Sequence, residues 1–528
     1  MAYRALQVGN RPRVAKTTTL MAKKGVDNRD LPQLLNAQFA QKMVNYLITS
    51  DGRLDKRKGI TKILEVAGAN PITLFKKFDS DTFIFGYATT IARYTVSTDA
   101  VTTIKANFSA NSGFDGVKYG ANFFVCNGVD KIWRITAAYA ISEIAASPIC
   151  SVLTAIGNRL YAGRISSDVT AVKYSMVDDG TATPFGTWTE STAATSGGTV
   201  YYRNAGSVNA IVPFGQNVVI FSERGKNAFY IDTVDSAGTL TKIERFIDAK
   251  EDFGGARGAI STTQGTFFFN EAGLWQLTGL GQTNVPFSTQ EGLVSELLGD
   301  QYFSDVDLTQ ADITYDAKKR NILVTFAKNS DTNNSVLVYN LDQKSFSTIT
   351  GWTINRFYND DQTIYGASSI ATVVYKLFSG VSDDGLNIGT EYLQELNVGQ
   401  LDTKKFLKGL YIQGFLSSSS SILIKFDIFD IEGKPVTDKL KFTWTPQYSL
   451  SGFDGYSSAQ YNASSYGGDL DSAQLIESFD GCRPFIRNFQ RVRVHITSGD
   501  KLDHQINWLS LEVEEKAPIR RRKLVLTS

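Results

Sequence analysis

Between residues 70 and 380 the chain repeats one unit. A strand with alternating apolar and polar positions leads to a turn rich in Gly, Asn or Asp, a continuous aromatic and β-branched run, a second turn and a third strand. The continuous runs are Phe83–Tyr87, Phe123–Cys126, Leu160–Gly163, Val218–Phe221, Phe267–Phe269, Ile322–Phe326 and Ile364–Ala367. The strand after each run holds an aromatic suited to packing between neighbouring sheets: Tyr94, Trp133, Tyr174, Tyr230, Trp275, Tyr339 and Tyr375. Successive runs lie roughly 40 to 60 residues apart, the length of one four-stranded propeller blade with its loops. The pattern predicts an all-β chain with a β-propeller of about seven blades over residues 59–385. Six or eight blades fit if the first or last copy belongs to a composite closing blade or a neighbouring domain.

Helix signals are sparse, and without amphipathic stretches between strands a parallel α/β sheet is excluded. The one helix candidate, Leu34–Leu47, is matched equally by an extended arm, so residues 1–58 are expected to form an extended or partly helical docking arm. A Gly- and Asp-rich passage opens a linker at 386–403. Strands expected at Leu407–Gln413, Ser421–Phe429, Leu440–Trp444, Gln490–Ile496 and Gln505–Val513 make a small β-sandwich over 404–515. Within it, residues 448–471 read as an exposed interaction loop, and 516–528 as a basic tail.

At 528 residues the chain exceeds the size of a single core, and its 54 basic and 53 acidic residues nearly cancel. A dedicated nucleic-acid binder is thereby disfavoured, and any DNA contact must be local. Charge is uneven, however: residues 1–60 hold twelve basic side chains against four acidic ones. Arg53, Lys56, Arg57 and Lys58 close that segment, and Arg520, Arg521, Arg522 and Lys523 lie near the C-terminus; these are the candidate partner- or DNA-contacting residues. No 18-residue apolar run predicts a membrane span, and no leader is evident, so folding in the cytoplasm is expected.

Catalytic chemistry has few candidates. His495 sits in an alternating strand and His504 follows a turn, each better read as a surface or satisfied strand residue than as a general base. The Asp-box turns of propeller glycosidases are missing, and Asp427, Asp430, Glu432 and Gly433 do not keep the rhythm of a calcium loop. Cys126, Cys150 and Cys482 form no CxxC pair. The reading is a non-enzyme with no catalytic, metal or cofactor residues.

The stretch Asn45–Leu54 (NYLITSDGRL) followed by Lys56-Arg57-Lys58-Gly59 resembles the segment that leads into the propeller in podoviral tail nozzle and tail hub proteins. Lys404–Gln413, Arg483–Thr497 and Leu509–Glu514 are similar to their closing domain. Lys58 departs from the pattern, which tends to have Pro there. The resemblance implies a virion protein, assembled in the bacterial host cytoplasm, that forms a homohexameric ring at the tail. Its partners would be an adaptor or portal ring, tail fibres or spike, and the double-stranded genome retained and released through the channel. The rivals are a carbohydrate-binding or depolymerising propeller, motivated by abundant aromatics, and a non-viral propeller scaffold.

Overall fold

The computed structural model describes residues 14–19, 24–27, 38–49, 51–109, 113–178, 180, 185–202, 206–215, 217–236, 239–250, 255, 258–271, 273–277, 290–292, 305–397, 404–417, 420–430, 434–435, 440–445, 475–482, 486–487, 489, 491–499 and 503–516. The expected loop 448–471 and all of the tail beyond Lys516 lie outside them. Among the described residues, every regular element apart from one 3-10 turn at Val96–Thr98 is a strand. The chain divides into two units, residues 60–339 with 349–379, and residues 1–59 with 340–348 and 380–528.

The first unit is a succession of small antiparallel meanders. Sheet I joins Ile72–Lys77, Thr82–Tyr87, Thr90–Thr95 and Ala100–Lys105; sheet II joins Asp115–Tyr119, Asn122–Cys126, Trp133–Ile135 and Ile141–Glu143. Sheet III comprises Cys150–Ile156, Arg159–Ile165, Asp168–Tyr174 and Gly198–Tyr201; sheet IV comprises Val208–Phe214, Asn217–Ser222, Lys226–Ser236 and Thr239–Lys250. Sheet V follows as Ala259–Thr262, Gly265–Asn270, Gly273–Leu277 and Gln290–Gly292, and sheet VI begins Val306–Asp316, Asn321–Lys328, Ser335–Asn340. Sheet VII is composite: Ile354–Asp360, Thr363–Ser368 and Val373–Leu377 take their fourth strand from Ile60–Glu65, nearly the whole unit away in sequence.

Each apolar run of the sequence is the second strand of one of these sheets, and each marked aromatic lies on the third. The physical reason is two-sided burial. Thr82–Tyr87 is buried at its first five positions, whereas the outer strand Ala100–Lys105 is exposed at its first four. Hydrophobic cores lie between sheets: Leu64 and Val374 of sheet VII pack with Phe75, Phe83 and Phe85 of sheet I, and Phe123 and Val125 of sheet II pack with Leu74 and Ile84 of sheet I.

Polar bonds follow the same succession. Lys76 of sheet I pairs with Asp115 of sheet II, whose other oxygen accepts the Leu153 N–H of sheet III at 3.0 Å. Tyr174 of sheet III donates to Glu244 of sheet IV, and Asn209 of sheet IV donates to the Gly255 carbonyl just ahead of sheet V at 2.8 Å. Phe269 of sheet V stacks on Phe326 of sheet VI with ring centres 5.9 Å apart. Asp312 of sheet VI accepts the Phe357 N–H of sheet VII at 2.7 Å, and Asn355 of sheet VII donates to the Ile72 carbonyl of sheet I at 2.9 Å. The first strands of successive sheets are neighbours throughout, and that of sheet VII neighbours that of sheet I.

The second unit holds two antiparallel sets. In one, Lys404–Ser417 lies between His504–Lys516 and Leu475–Cys482, with Leu54–Lys56 and Val14–Thr19 also on His504–Lys516. In the other, Lys42–Val44, Thr390–Asn397, Arg491–Ser498, Ile422–Phe429 and Leu440–Trp444 run side by side. Ile422, Ile424, Phe426 and Ile428 are fully buried while the residues between them are half-exposed, as period-two alternation requires.

Three expectations are corrected here. The Leu34–Leu47 segment is not helical where it is described: Lys42–Val44 and Tyr46–Ile48 are strands. The described parts of 1–58 are integral strands of this unit rather than a detached arm, because Met43, Tyr46, Leu47 and Ile48 are buried in it. The expected linker 386–403 contains the strand Thr390–Asn397, which is central rather than connecting. Its buried Gln394 and Glu395 look like linker residues in sequence; Gln394 bonds the Phe39 carbonyl, and Glu395 takes Arg491 and Arg493 at 2.7 and 2.8 Å.

Candidate functional site

The segment that carries the family resemblance forms a tight hairpin followed by an anchored exit. Tyr46–Ile48 pairs antiparallel with Leu54–Lys56. At the turn the Gly52 N–H donates to the Thr49 carbonyl at 2.9 Å, with Gly52 at φ 80°, a left-handed conformation for which glycine is suited. The Arg53 N–H bonds Thr49 Oγ1 at 3.0 Å, and the Thr49 hydroxyl donates to Asp51. That hydroxyl, with the Arg53 charge behind it, holds the Asp51 carboxyl below its ordinary range. Arg53 pairs with Asp51 at 2.7 Å across an open surface.

Arg57 follows, and its side chain is wholly buried. Nη1 and Nη2 grip the two Asp383 oxygens at 2.7 and 2.5 Å, Nε donates to Asn45 Oδ1 at 2.8 Å, and Nη1 also reaches the Lys58 carbonyl at 3.1 Å. This is the two-pronged guanidinium–carboxylate geometry, which fixes direction as well as charge. Asn45, at φ 59°, turns its amide onto the Gly389 carbonyl at 2.6 Å. Gly59 then passes so close to Ser382 that a Cβ would sit 1.9 Å from its carbonyl oxygen, and the Gly59 N–H donates to the Gly380 carbonyl at 3.0 Å. The lead-in motif is therefore a clamp within the unit of residues 1–59, 340–348 and 380–528, near the points where the chain leaves that unit and re-enters it.

The four sequence-selected basic residues consequently divide. Arg53 is half-exposed, and Lys58 is exposed and paired with Asp503. Arg57 and Lys56 are corrected as contact residues: both are buried, at 1% and 4% exposure, and no phosphate or partner surface reaches Arg57 while Asp383 and Asn45 surround it. Arg520, Arg521, Arg522 and Lys523 lie outside the described residues. Sequence reasoning did not select Asp383 or Asn45: Asn45 enters only as the first residue of the quoted stretch, and nothing local marks Asp383 as the partner of Arg57.

The two histidines are in different settings. His504 is buried, its Nε2 2.8 Å from the Tyr46 hydroxyl, which also accepts a bond from Thr390 at 3.2 Å. His495 is half-buried, 3.3 Å from Glu391. No group of three His, Cys, Asp or Glu able to hold a metal occurs among the described residues.

No family model and no curated protein matches the chain. Among solved structures, it is similar to the computationally designed Ika8 protein, at 11% identity and TM-score 0.36 over 60% of this chain and 99% of that one. It is also similar to the extracellular domain of the one component system BT4673 from B. thetaiotaomicron, at 11% identity and TM-score 0.41 over 68% of this chain and 43% of that one. A chain of the Mitotic Checkpoint Complex aligns at 12% identity and TM-score 0.38, over 66% and 98%. Such low scores say nothing about function or partners.

Proposed function

We propose that the chain is a non-enzymatic structural subunit of the tail nozzle or hub ring of a short-tailed bacteriophage. In this reading sheets I to VII are the blades of a seven-bladed propeller closed by Ile60–Glu65, and the two sheet sets of the other unit form a sandwich. Six copies surround a channel that retains the genome and releases it on ejection. The observation that carries the proposal is the clamped motif itself. The motif that resembles the nozzle family is the one held by Arg57, Asp383, Asn45 and Gly59, just before the chain enters the succession of sheets.

Support also comes from the cyclic neighbour relations of the first strands and from the near balance of charge, which suits a conduit better than a clamp on DNA. Arg53 and Lys58 are the accessible basic residues of the motif for contacts with an adaptor ring.

Negative-stain imaging of the purified protein, alone and with particles of the producing phage, tests the reading. Six-fold rings at the end of a stubby tail are expected; single particles that never join a virion would overturn it. A second reading, a carbohydrate-binding propeller, draws on an uncharged groove of about 760 Å³ beside Phe214, Thr263, Gln264 and Tyr315. Glycan binding without assembly would favour that alternative.

A further inference from the structure

Three buried polar side chains meet at the hydroxyl of Tyr46. Tyr46 is 0% exposed, His504 2% and Thr390 3%. Tyr46 and His504 belong to the sheet set built on Lys404–Ser417, whereas Thr390 opens the strand Thr390–Asn397 of the other set. The Thr390 hydroxyl donates to the Tyr46 oxygen at 3.2 Å, and that oxygen lies 2.8 Å from His504 Nε2. The Tyr46 and His504 rings meet edge to face with centres 5.5 Å apart. One phenol thus ties together the two sheet sets of this unit.

The protons present set the direction of each bond. A tyrosine oxygen that receives the Thr390 proton turns its own O–H toward Nε2, and Nε2 accepts only while the imidazole is neutral. A proton added at Nε2 sets two donors against each other and ends the relay. The surrounding charges do not compensate for it. Lys56, itself buried, stands opposite Tyr46 on the intervening strand Leu54–Lys56 and carries the same sign as a charged imidazole. Asp503 is paired with Lys58, and Asp55 lies across from Gln505, one residue on and so toward the opposite face. On the Thr390 strand, Glu391 pairs with Lys42 and lies 3.3 Å from His495. Leu416, across from His504 on Lys404–Ser417, is apolar.

We propose that Thr390, Tyr46 and His504 form a latch between the two sheet sets that closes on neutral His504 and is released by acid. The opened strands take up the histidine proton near pH 6.5 and the closed latch does not. The latch therefore holds above that pH and weakens below it, by up to about tenfold in the opening equilibrium for each pH unit.

Hydrogen exchange of the full chain at about pH 7.5 and about pH 5.5, each rate corrected for intrinsic exchange, tests this in peptides covering 42–59, 390–397 and 503–516. Protection there should fall about tenfold on acidification, while Thr82–Tyr87 of the other unit keeps its protection. His504→Gln supplies a neutral acceptor and should abolish the fall; His495→Gln, which replaces the only other histidine, should retain it. Because His504→Gln could misfold, the second measurement uses the His495→Gln protein, in which His504 is the single histidine. Its isotope-labelled imidazole should keep the neutral chemical shift down to the pH at which the peptides open. An imidazole that charges near pH 6.5 with protection unchanged, or a fall that persists in folded His504→Gln or vanishes in His495→Gln, would overturn the proposal.

Discussion

Replacing Asp383 by alanine tests the Arg57 clamp most directly. The substitution removes two charged hydrogen bonds at 2.7 and 2.5 Å and takes the carboxylate away from the Arg57 guanidinium, whose side chain has no exposed surface. Removing one partner of a buried ion pair costs about 3 to 5 kcal/mol, mostly because the other charge is stranded. The converse change, Arg57→Ala, takes both charged donors from Asp383 and should cost a similar amount. Replacing both, as Arg57→Met with Asp383→Leu, removes both charges from the interior and should be less destabilising than either single change. In a chain of two units a single unfolding free energy is poorly defined, so hydrogen exchange of peptides covering 42–59 and 380–397 is the suitable assay. Each single variant should reduce protection there by roughly two to four powers of ten if exchange follows opening of this unit. Single losses below about 1 kcal/mol, or a double variant that loses the sum of the two, would refute the assignment of the pair as a buried clamp.

Gly59→Ala places a methyl group against the Ser382 backbone and should cost at least about 1 to 3 kcal/mol, visible as loss of protection in the same peptides; unchanged protection would contradict the close approach. Arg53→Ala with Lys58→Ala should change stability by less than about 1 kcal/mol per exposed pair, yet under the proposed function should reduce joining to the adaptor ring in an assembly assay. Burial pushes the Tyr161 hydroxyl up to about 12. A group whose folded pKa is raised stabilises the fold fully below its unfolded value near 10, so this contribution, of order 2 to 3 kcal/mol, is lost as pH climbs from about 10 to 12. Circular dichroism between pH 9 and 12 should show Tyr161→Phe retaining structure to higher pH than the parent, and identical alkaline transitions would sink the attribution.

How far the sequence reached differs between the two units. In the first, middle strands announce themselves, because a segment covered on both faces must be apolar at nearly every residue, and Asn321–Lys328 is buried at all but its last position. In the second, Leu440–Trp444 was legible to the residue, but Thr390–Asn397 was taken for linker because its buried Gln394 and Glu395 are satisfied by distant donors and acceptors that hydropathy cannot register. The site was half legible. Clustered charge and the resemblance single out Arg53 to Lys58, and charge suggests an outside partner. In the fold, Arg57 spends its charge on Asp383, 326 residues away.

By itself, then, the sequence determined the all-β character, the sevenfold recurrence of a doubly covered strand and the turns between strands, since these depend on which faces of a local segment are dry. Tertiary structure alone decided which distant strands meet: Ile60–Glu65 against Val373–Leu377, Lys42–Val44 against Thr390–Asn397, and Arg57 against Asp383. Periodicity reports burial but not its partner. A backbone edge or a buried charge is specified only by the donor or acceptor that the folded chain brings to it.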